Sequence, residues 1–392
     1  MDDKKVIYLD NSATTKISDA ALEKYIETAQ KNFGNPSSLH YFGLSAEKEI
    51  NETRTTILNS LMAKGDTVVF TASGSEANNL AIFGRAFAKE RYKKGAKIIT
   101  TAGEHASVIS PIEKLSSMGF KTAEIPTVNG EIDMEALKAE LTQDTILVSI
   151  MMVNNETGAL YDTQAVSKLM RANAPEALLH VDATQSYMKV KFTKQTSGAD
   201  MITLSSHKIN GPKGVGALII DSKIIKQKGL APIILGGGQE GGLRSGTENV
   251  PAIAAFGAAI KEKTASLEGN ILKISELRDY LISELARREE LAKISVTNPK
   301  NHAPHILNIT LPEIKSEVML HYLSSLGIYV SSGSACSSNS AHTSSALTAY
   351  GRSAKEADSS IRISFSAANE KSDVDALCDG LASGLKKLAR IR

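Results

Sequence analysis

Several residues able to do chemistry stand directly after short apolar runs. His105 follows Lys97–Thr101 (KIITT), and Asn155 follows Ile146–Val153 (ILVSIMMV). Asp182 lies within Leu178–Ala183 (LLHVDA), with Gln185 just beyond it. Lys208 follows Met201–Ser206 (MITLSS), in the segment Ser205-Ser206-His207-Lys208-Ile209-Asn210-Gly211-Pro212-Lys213-Gly214. A lysine straight after an apolar strand is oddly placed for a merely solvated charge. A buried lysine has a lowered pKa and can form a Schiff base. Asp182, at the end of a neighbouring run, is the kind of carboxylate a pyridinium nitrogen requires. Ser73-Gly74-Ser75 follows Thr67–Thr71 (TVVFT) and opens a helical pattern. A helix start offers unpaired N–H groups and a positive dipole end, which suits a phosphate. Alone, that turn reads as an ordinary serine N-cap. Taken with Lys208 and Asp182, it points to pyridoxal 5'-phosphate (PLP). The turn is not GxGxxG, and GxxxxGK[ST] does not occur, so dinucleotide and P-loop sites are unsupported.

These residues need a scaffold that brings strand ends together. The apolar runs above, with Lys121–Pro126 and Gly216–Asp221, alternate with helical stretches at Glu76–Lys93, Ser107–Met118, Asp133–Leu141 and Thr163–Asn173. Several runs are apolar on both faces, as strands are when helices cover both sides of a sheet. The pattern predicts a mostly parallel α/β sheet, whose ligands sit at the carboxyl ends of its strands. A glycine-rich stretch, 229–246, precedes a long helical pattern from about Val250 to Glu290, with a possible break at Gly269-Asn270. A second α/β region follows: Ile306–Thr310, a helix over Ser316–Leu326, Tyr329–Ser331, Ser360–Ser364 and a final helix from Asp373 to about Ile391. Segment 331–345 holds eight serines in fifteen positions. The expected organisation is a large domain over 15–258 and a smaller α/β domain over 1–14 and 259–392.

The chain has 392 residues, 42% hydrophobic and 22% charged, which excludes disorder as the main state. Lys+Arg 45 against Asp+Glu 43 gives net +2, so neither nucleic acid nor an anionic membrane is an expected direct partner. Two cysteines, Cys336 and Cys378, make no disulfide framework and fit a reducing compartment. With no apolar leader after Met1-Asp2-Asp3-Lys4-Lys5 and no run of ~20 apolar residues, a cytoplasmic protein is expected.

Across almost its whole length the chain resembles cysteine desulfurases of the NifS/IscS type, in the class V aminotransferase group of fold type I PLP enzymes. The matching motifs are YLDNSATT at 8–15, FGNPSSLH at 33–40, TASGSEANN at 71–79, Glu104-His105, VNNETG at 153–158 and HVDATQ at 180–185. SSHKINGPKG at 205–214, GGGQE at 236–240, LRSGT at 243–247, SSGSAC at 331–336 and SIRIS at 360–364 continue in the family's order. The resemblance implies a large domain with a seven-stranded, mostly parallel sheet and a smaller C-terminal domain. It implies that L-cysteine becomes L-alanine while sulfur passes to Cys336 as a persulfide. Lys208 would hold PLP, Asp182 would pair with the pyridinium nitrogen, Gln185 with the phenolic oxygen, and His105 would stack on the ring and move protons. Gly74, Ser75, Ser205 and His207 would hold the phosphate, with Thr247 reaching in from the second subunit of a homodimer. Asn155, Arg362 and Asn35 would bind the substrate. No metal is implied.

The composition of 331–345 suits a mobile arm for Cys336, because small polar residues pack weakly. Cys378 shares helical spacing with Val374, Leu377, Leu381 and Leu385, so core packing is expected. The chain departs from many relatives at Ala341–Ser344, at Asn78, where several have Asp, and at its C-terminal end, Lys387–Arg392. The loop-tip and C-terminal departures bear on which sulfur acceptor docks, an iron–sulfur scaffold or a tRNA-thiolation enzyme, whereas Asn78 is expected to have little effect on the chemistry. A selenocysteine lyase or another class V PLP enzyme is the alternative enzyme. A PLP-free binding or regulatory protein is the alternative outside catalysis.

Overall fold

A computed structural model describes residues 5–88, 95–332 and 344–388. Cys336 lies outside the described residues, as does most of the serine-rich segment. The central sheet has seven strands. Its spatial order is Thr67–Thr71, Gly216–Ile220, Met201–Ser205, Leu178–Asp182, Thr145–Met151, Lys97–Thr101 and Lys121–Ile125. The four pairings from Met201–Ser205 outward to Lys121–Ile125 are parallel. Gly216–Ile220 is antiparallel to both of its neighbours. Thr67–Thr71 therefore runs with the other five, and six carboxyl ends share one edge. That edge carries the chemistry-bearing residues.

The reason for these elements is burial. All seven residues of Thr145–Met151 are buried, as are all five of Met201–Ser205 and of Gly216–Ile220. Helices Gly74–Phe87 and Ala106–Ser117 cover one face with Leu80, Ile82, Val108 and Leu115. On the other face Ile50 and Ile57, from helix Tyr41–Ser60, and Val166 and Phe256 close a second apolar cluster.

A four-stranded antiparallel sheet lies later in the chain, in the order Ser295–Thr297, Ile306–Thr310, Ser360–Ser364, Ser331–Ser332. Its core unites Ile7 and Leu9 with Leu281, Ile309, Leu323, Ile363 and Leu377. Cys378 is buried in that core.

The expected break at Gly269-Asn270 does not occur. One helix runs unbroken from Val250 to Arg287. Asn270 donates to Ser266 Oγ one turn back, at 2.8 Å, so its amide is satisfied without leaving the helix. The expected single strand at Tyr329–Ser331 is two short pieces. Ile328–Tyr329 pairs with Ile7–Tyr8, and Ser331–Ser332 pairs with Ser360–Ser364. Helices Asp19–Lys31 and Tyr41–Ser60 had no counterpart in the sequence pattern.

Candidate active site

At the carboxyl edge lies a cavity of about 300 Å³. Gly74, Ser75, His105, Asn155, Asp182, Gln185, Ser205, His207, Lys208 and Arg362, ten of the residues singled out from the sequence, line it. Met151 and Asp182 are paired across adjacent strands, and Asp182 pairs on to Thr203. The pairing fixes the Asp182 carboxylate at the sheet end, where it is 6% exposed. Thr184 N donates to its Oδ1 at 2.9 Å, and Asn78 Nδ2 donates to its Oδ2 at 2.8 Å.

The second proton of the Asn78 amide goes to Ser107 Oγ, also at 2.8 Å. With that oxygen accepting, the Ser107 hydroxyl donates to His105 Nδ1 at 2.8 Å. Ser107 N donates to the same nitrogen at 3.1 Å, making His105 the N-cap of helix Ala106–Ser117. An Nδ1 that accepts leaves the ring proton on Nε2. Burial lowers the His105 pKa; the Asp182 charge opposes this and the Lys208 charge adds to it. A continuous chain, Asp182–Asn78–Ser107–His105, thus sets a neutral imidazole with Nε2–H.

Lys208 is held from the N-terminal segment. Its Nζ donates to Ser12 O at 2.5 Å and to Ala13 O at 2.8 Å. Gln185 Nε2 donates to the same Ser12 carbonyl at 2.9 Å, and Gln185 Oε1 accepts from Lys189 Nζ at 3.1 Å. With Oε1 accepting from Lys189, the Gln185 amide nitrogen turns to Ser12, a residue that lines the cavity.

The Ser73 side chain caps helix Gly74–Phe87 by accepting from Glu76 N at 3.1 Å. Its first-turn N–H groups have no partner within the helix. Two glycines allow the approach. A Cβ on Gly74 would meet Ser205 Cβ at 3.1 Å and Thr184 Oγ1 at 3.2 Å. A Cβ on Gly216 would lie 2.5 Å from the Ser73 carbonyl carbon. His207 shares this end. Burial, then the charges of Lys208, Lys213 and Lys189, lowers its pKa to about 4, so it stays neutral.

At the opposite wall Arg362 Nη1 donates to Asn155 O and Nη2 to Asp10 Oδ1, both at 2.9 Å. Arg362 Nε and Ser12 Oγ are buried and have no hydrogen-bond partner among the described residues. Unmet groups of this kind carry a desolvation cost that a bound anion would relieve.

Two residues singled out from the sequence stand elsewhere on this chain. Asn35 is exposed, with Oδ1 accepting from Ser37 N at 3.0 Å. Thr247 lines a separate hollow with Phe70, Gly214 and Glu240. Conversely, Ser12, Asn78 and Ser107 line the cavity without having been assigned a part in it. The spacing of His105 and Ser107 held the one local signal, an N-cap followed two residues later by a hydroxyl.

The set of groups fits PLP. A buried carboxylate stands at one end, helix-start N–H groups with Ser75 and Ser205 at another, and a lysine amine between them. The sequence matches the Aminotransferase class-V family over residues 7–377, and the chain belongs to that family. It is 37% identical over 390 residues to cysteine desulfurase IscS of Dictyoglomus turgidum, covering 99% of this chain and 96% of that one. A solved structure described as a NifS-like protein superposes with a TM-score of 0.89 at 32% identity, covering 97% of this chain and all of its own. Another, SspA in complex with cysteine, superposes with a TM-score of 0.76 at 30% identity, over 91% of this chain and 98% of that one.

Proposed function

We propose that this chain is a PLP-dependent cysteine desulfurase that converts L-cysteine to L-alanine and receives the sulfur on Cys336. The observation that carries the reading is the cavity. It joins a sheet-end lysine, a buried aspartate and a helix start within one 300 Å³ space, in a chain whose relatives bear that name. Lys208 would hold the cofactor, Asp182 would pair with its ring nitrogen, and Gln185 Nε2 would face its phenolic oxygen. Gly74, Ser75, Ser205 and His207 would take the phosphate. When bound, PLP supplies an electron sink for the substrate α-carbon.

The protein's part is placement and proton handling. Arg362, with Nε still unpaired, and Asn155 would fix the substrate carboxylate, because a guanidinium fork gives paired bonds. Lys208 Nζ would take the α-proton once its bonds to Ser12 O and Ala13 O are released. His105 presents Nε2–H into the cavity and can give a proton there. The Cys336 thiolate would attack the substrate sulfur. The carbon–sulfur bond breaks, its electron pair stays with the carbon skeleton, a proton replaces the sulfur, and Cys336 keeps a persulfide. A Lys208→Ala protein should lose both the visible absorbance of lysine-bound cofactor and alanine production. Retention of either would remove Lys208 from the mechanism.

The assembly reading is a homodimer in which Thr247 completes the partner's phosphate site. It is supported by apolar side chains left in solvent around 33–44, where Leu39 is 94% exposed, and by Leu235 at 79%. The division into 15–258 and 1–14 plus 259–392 is supported by the apolar cluster that joins Ile7 and Leu9 to residues beyond 259. The acceptor of the persulfide sulfur would be a protein, an iron–sulfur scaffold or a tRNA-thiolation enzyme, in the cytoplasm. No helix among the described residues is long and apolar enough to cross a membrane.

A further inference from the structure

Behind Lys208 lies a second, smaller cavity of about 40 Å³. It opens between the long helix, the Met188-Lys189 turn and the start of strand Ile306–Thr310, and shares only Lys208 with the larger cavity. Lys189, Lys263 and His305 line it, and no carboxylate does. Lys189 Nζ donates to a neutral amide oxygen, Gln185 Oε1, at 3.1 Å. His305 is 1% exposed, and both its ring nitrogens lack a hydrogen-bond partner among the described residues.

This arrangement is costly as it stands. Half-buried lysines with no carboxylate in the cavity lining, and a buried imidazole without partners, lose hydration and regain little. Burial, then the charges of Lys208, Arg362 and Lys263, pushes the Lys189 pKa well down, and burial lowers that of Lys263 against the opposing charge of Glu262. A neutral imidazole has one N–H to give, and an ammonium has three. Every unmet group that can donate here would be satisfied by one acceptor carrying negative charge. The accessible space, about 40 Å³ against about 300 Å³ in the larger cavity, suits a small inorganic anion.

We propose that this cavity binds one small monovalent inorganic anion of halide size, held by the Lys189 and Lys263 ammonium groups and by a ring N–H of His305. The anion would keep Lys189 protonated. Lys189 would then keep donating to Gln185 Oε1, which turns the Gln185 amide nitrogen toward the larger cavity. Lys189 is in this sense a positioning residue, reaching the larger cavity through Gln185. The site stands whether or not the reaction assigned above is right, because its residues and its test are separate from turnover.

The test uses the full chain with its cofactor as purified, and bromide as the probe. Crystals grown with bromide in place of chloride should show an anomalous peak inside this cavity, against Lys189 and His305. In solution, chloride or bromide should raise the unfolding midpoint saturably, on the order of 1–4 °C above sodium gluconate at equal ionic strength. Lys263→Met, a change at a partly exposed residue, should abolish that specific rise. A cavity without a bromide peak would overturn the proposal. So would a salt response identical in wild type and Lys263→Met, which would mark it as general screening.

Discussion

The two cavities on either side of Lys208 are built on opposite terms. In the larger one, the Asp182 carboxylate is tied through Asn78 and Ser107 to His105, and Lys208 is clasped by two backbone carbonyls. Its unmet groups include Asn78 Oδ1 as well as Arg362 Nε and Ser12 Oγ, the last two at the wall where a substrate carboxylate would sit. In the smaller one, cations gather with no carboxylate in the lining, and His305 has no partner among the described residues. The first orients its groups in advance of a large, multi-part ligand, which is how a site avoids reorganisation during reaction. The second leaves its groups unsatisfied around a space fit for one small ion. The same sheet end thus supports a pre-wired site and a site completed by its ligand.

The largest expected effect is on the residue common to both. Lys208→Ala should lower turnover by about 10²–10⁴-fold or more from loss of the base alone, measured as alanine released per chain. Next comes the wiring. Asn78→Leu removes the donor to both Asp182 and Ser107, leaving a buried carboxylate short of one bond. At about 1–3 kcal/mol per unmet group, kcat should fall roughly tenfold to a hundredfold, with the acid limb of the pH profile displaced. An unchanged profile would mean that His105 does not depend on this chain.

Glu104 sharpens the contrast, as an imperfectly satisfied acid beside the wired site. It accepts from Thr101 Oγ1 at 2.6 Å and Met151 N at 2.9 Å, while Oε2 has no partner among the described residues. Burial raises its pKa to about 8. The folded chain therefore holds this proton where the unfolded chain, near 4.5, releases it. Its contribution is full below pH 4.5 and is lost as pH rises toward 8. The slope is about 1.4 kcal/mol per pH unit for one group. Glu104→Gln should remove that slope in urea unfolding measured across this range.

The smallest effect concerns the second thiol. Cys378 is buried, and burial pushes its pKa up to about 11. Native protein should therefore react with one alkylating equivalent per chain, at Cys336, and with a second only in denaturant. Two fast equivalents would break the distinction between the cysteines.

Much of the site was legible because an α/β sheet converts chain order into geometry. Residues just after each apolar run, His105, Asn155, Asp182 and Lys208, had to meet at one edge once the strands were parallel. The site's wiring was less legible. Asn78 faces inward from the middle of a helix, and its two bonds depend on partners 29 and 104 residues away. The smaller cavity was invisible for the same reason, since Lys189, Lys263 and His305 come from three separate elements. The helix break expected at Gly269 failed because one glycine is a local cost that the packed helix absorbs.

The most direct test of the desulfurase reading is alanine released from L-cysteine, with a thiol reductant present, by wild type and by Cys336→Ala. The account predicts alanine from wild type and its loss in the variant, with cofactor absorbance unchanged in both. Equal alanine from both proteins would contradict it, because sulfur would then leave the substrate without Cys336.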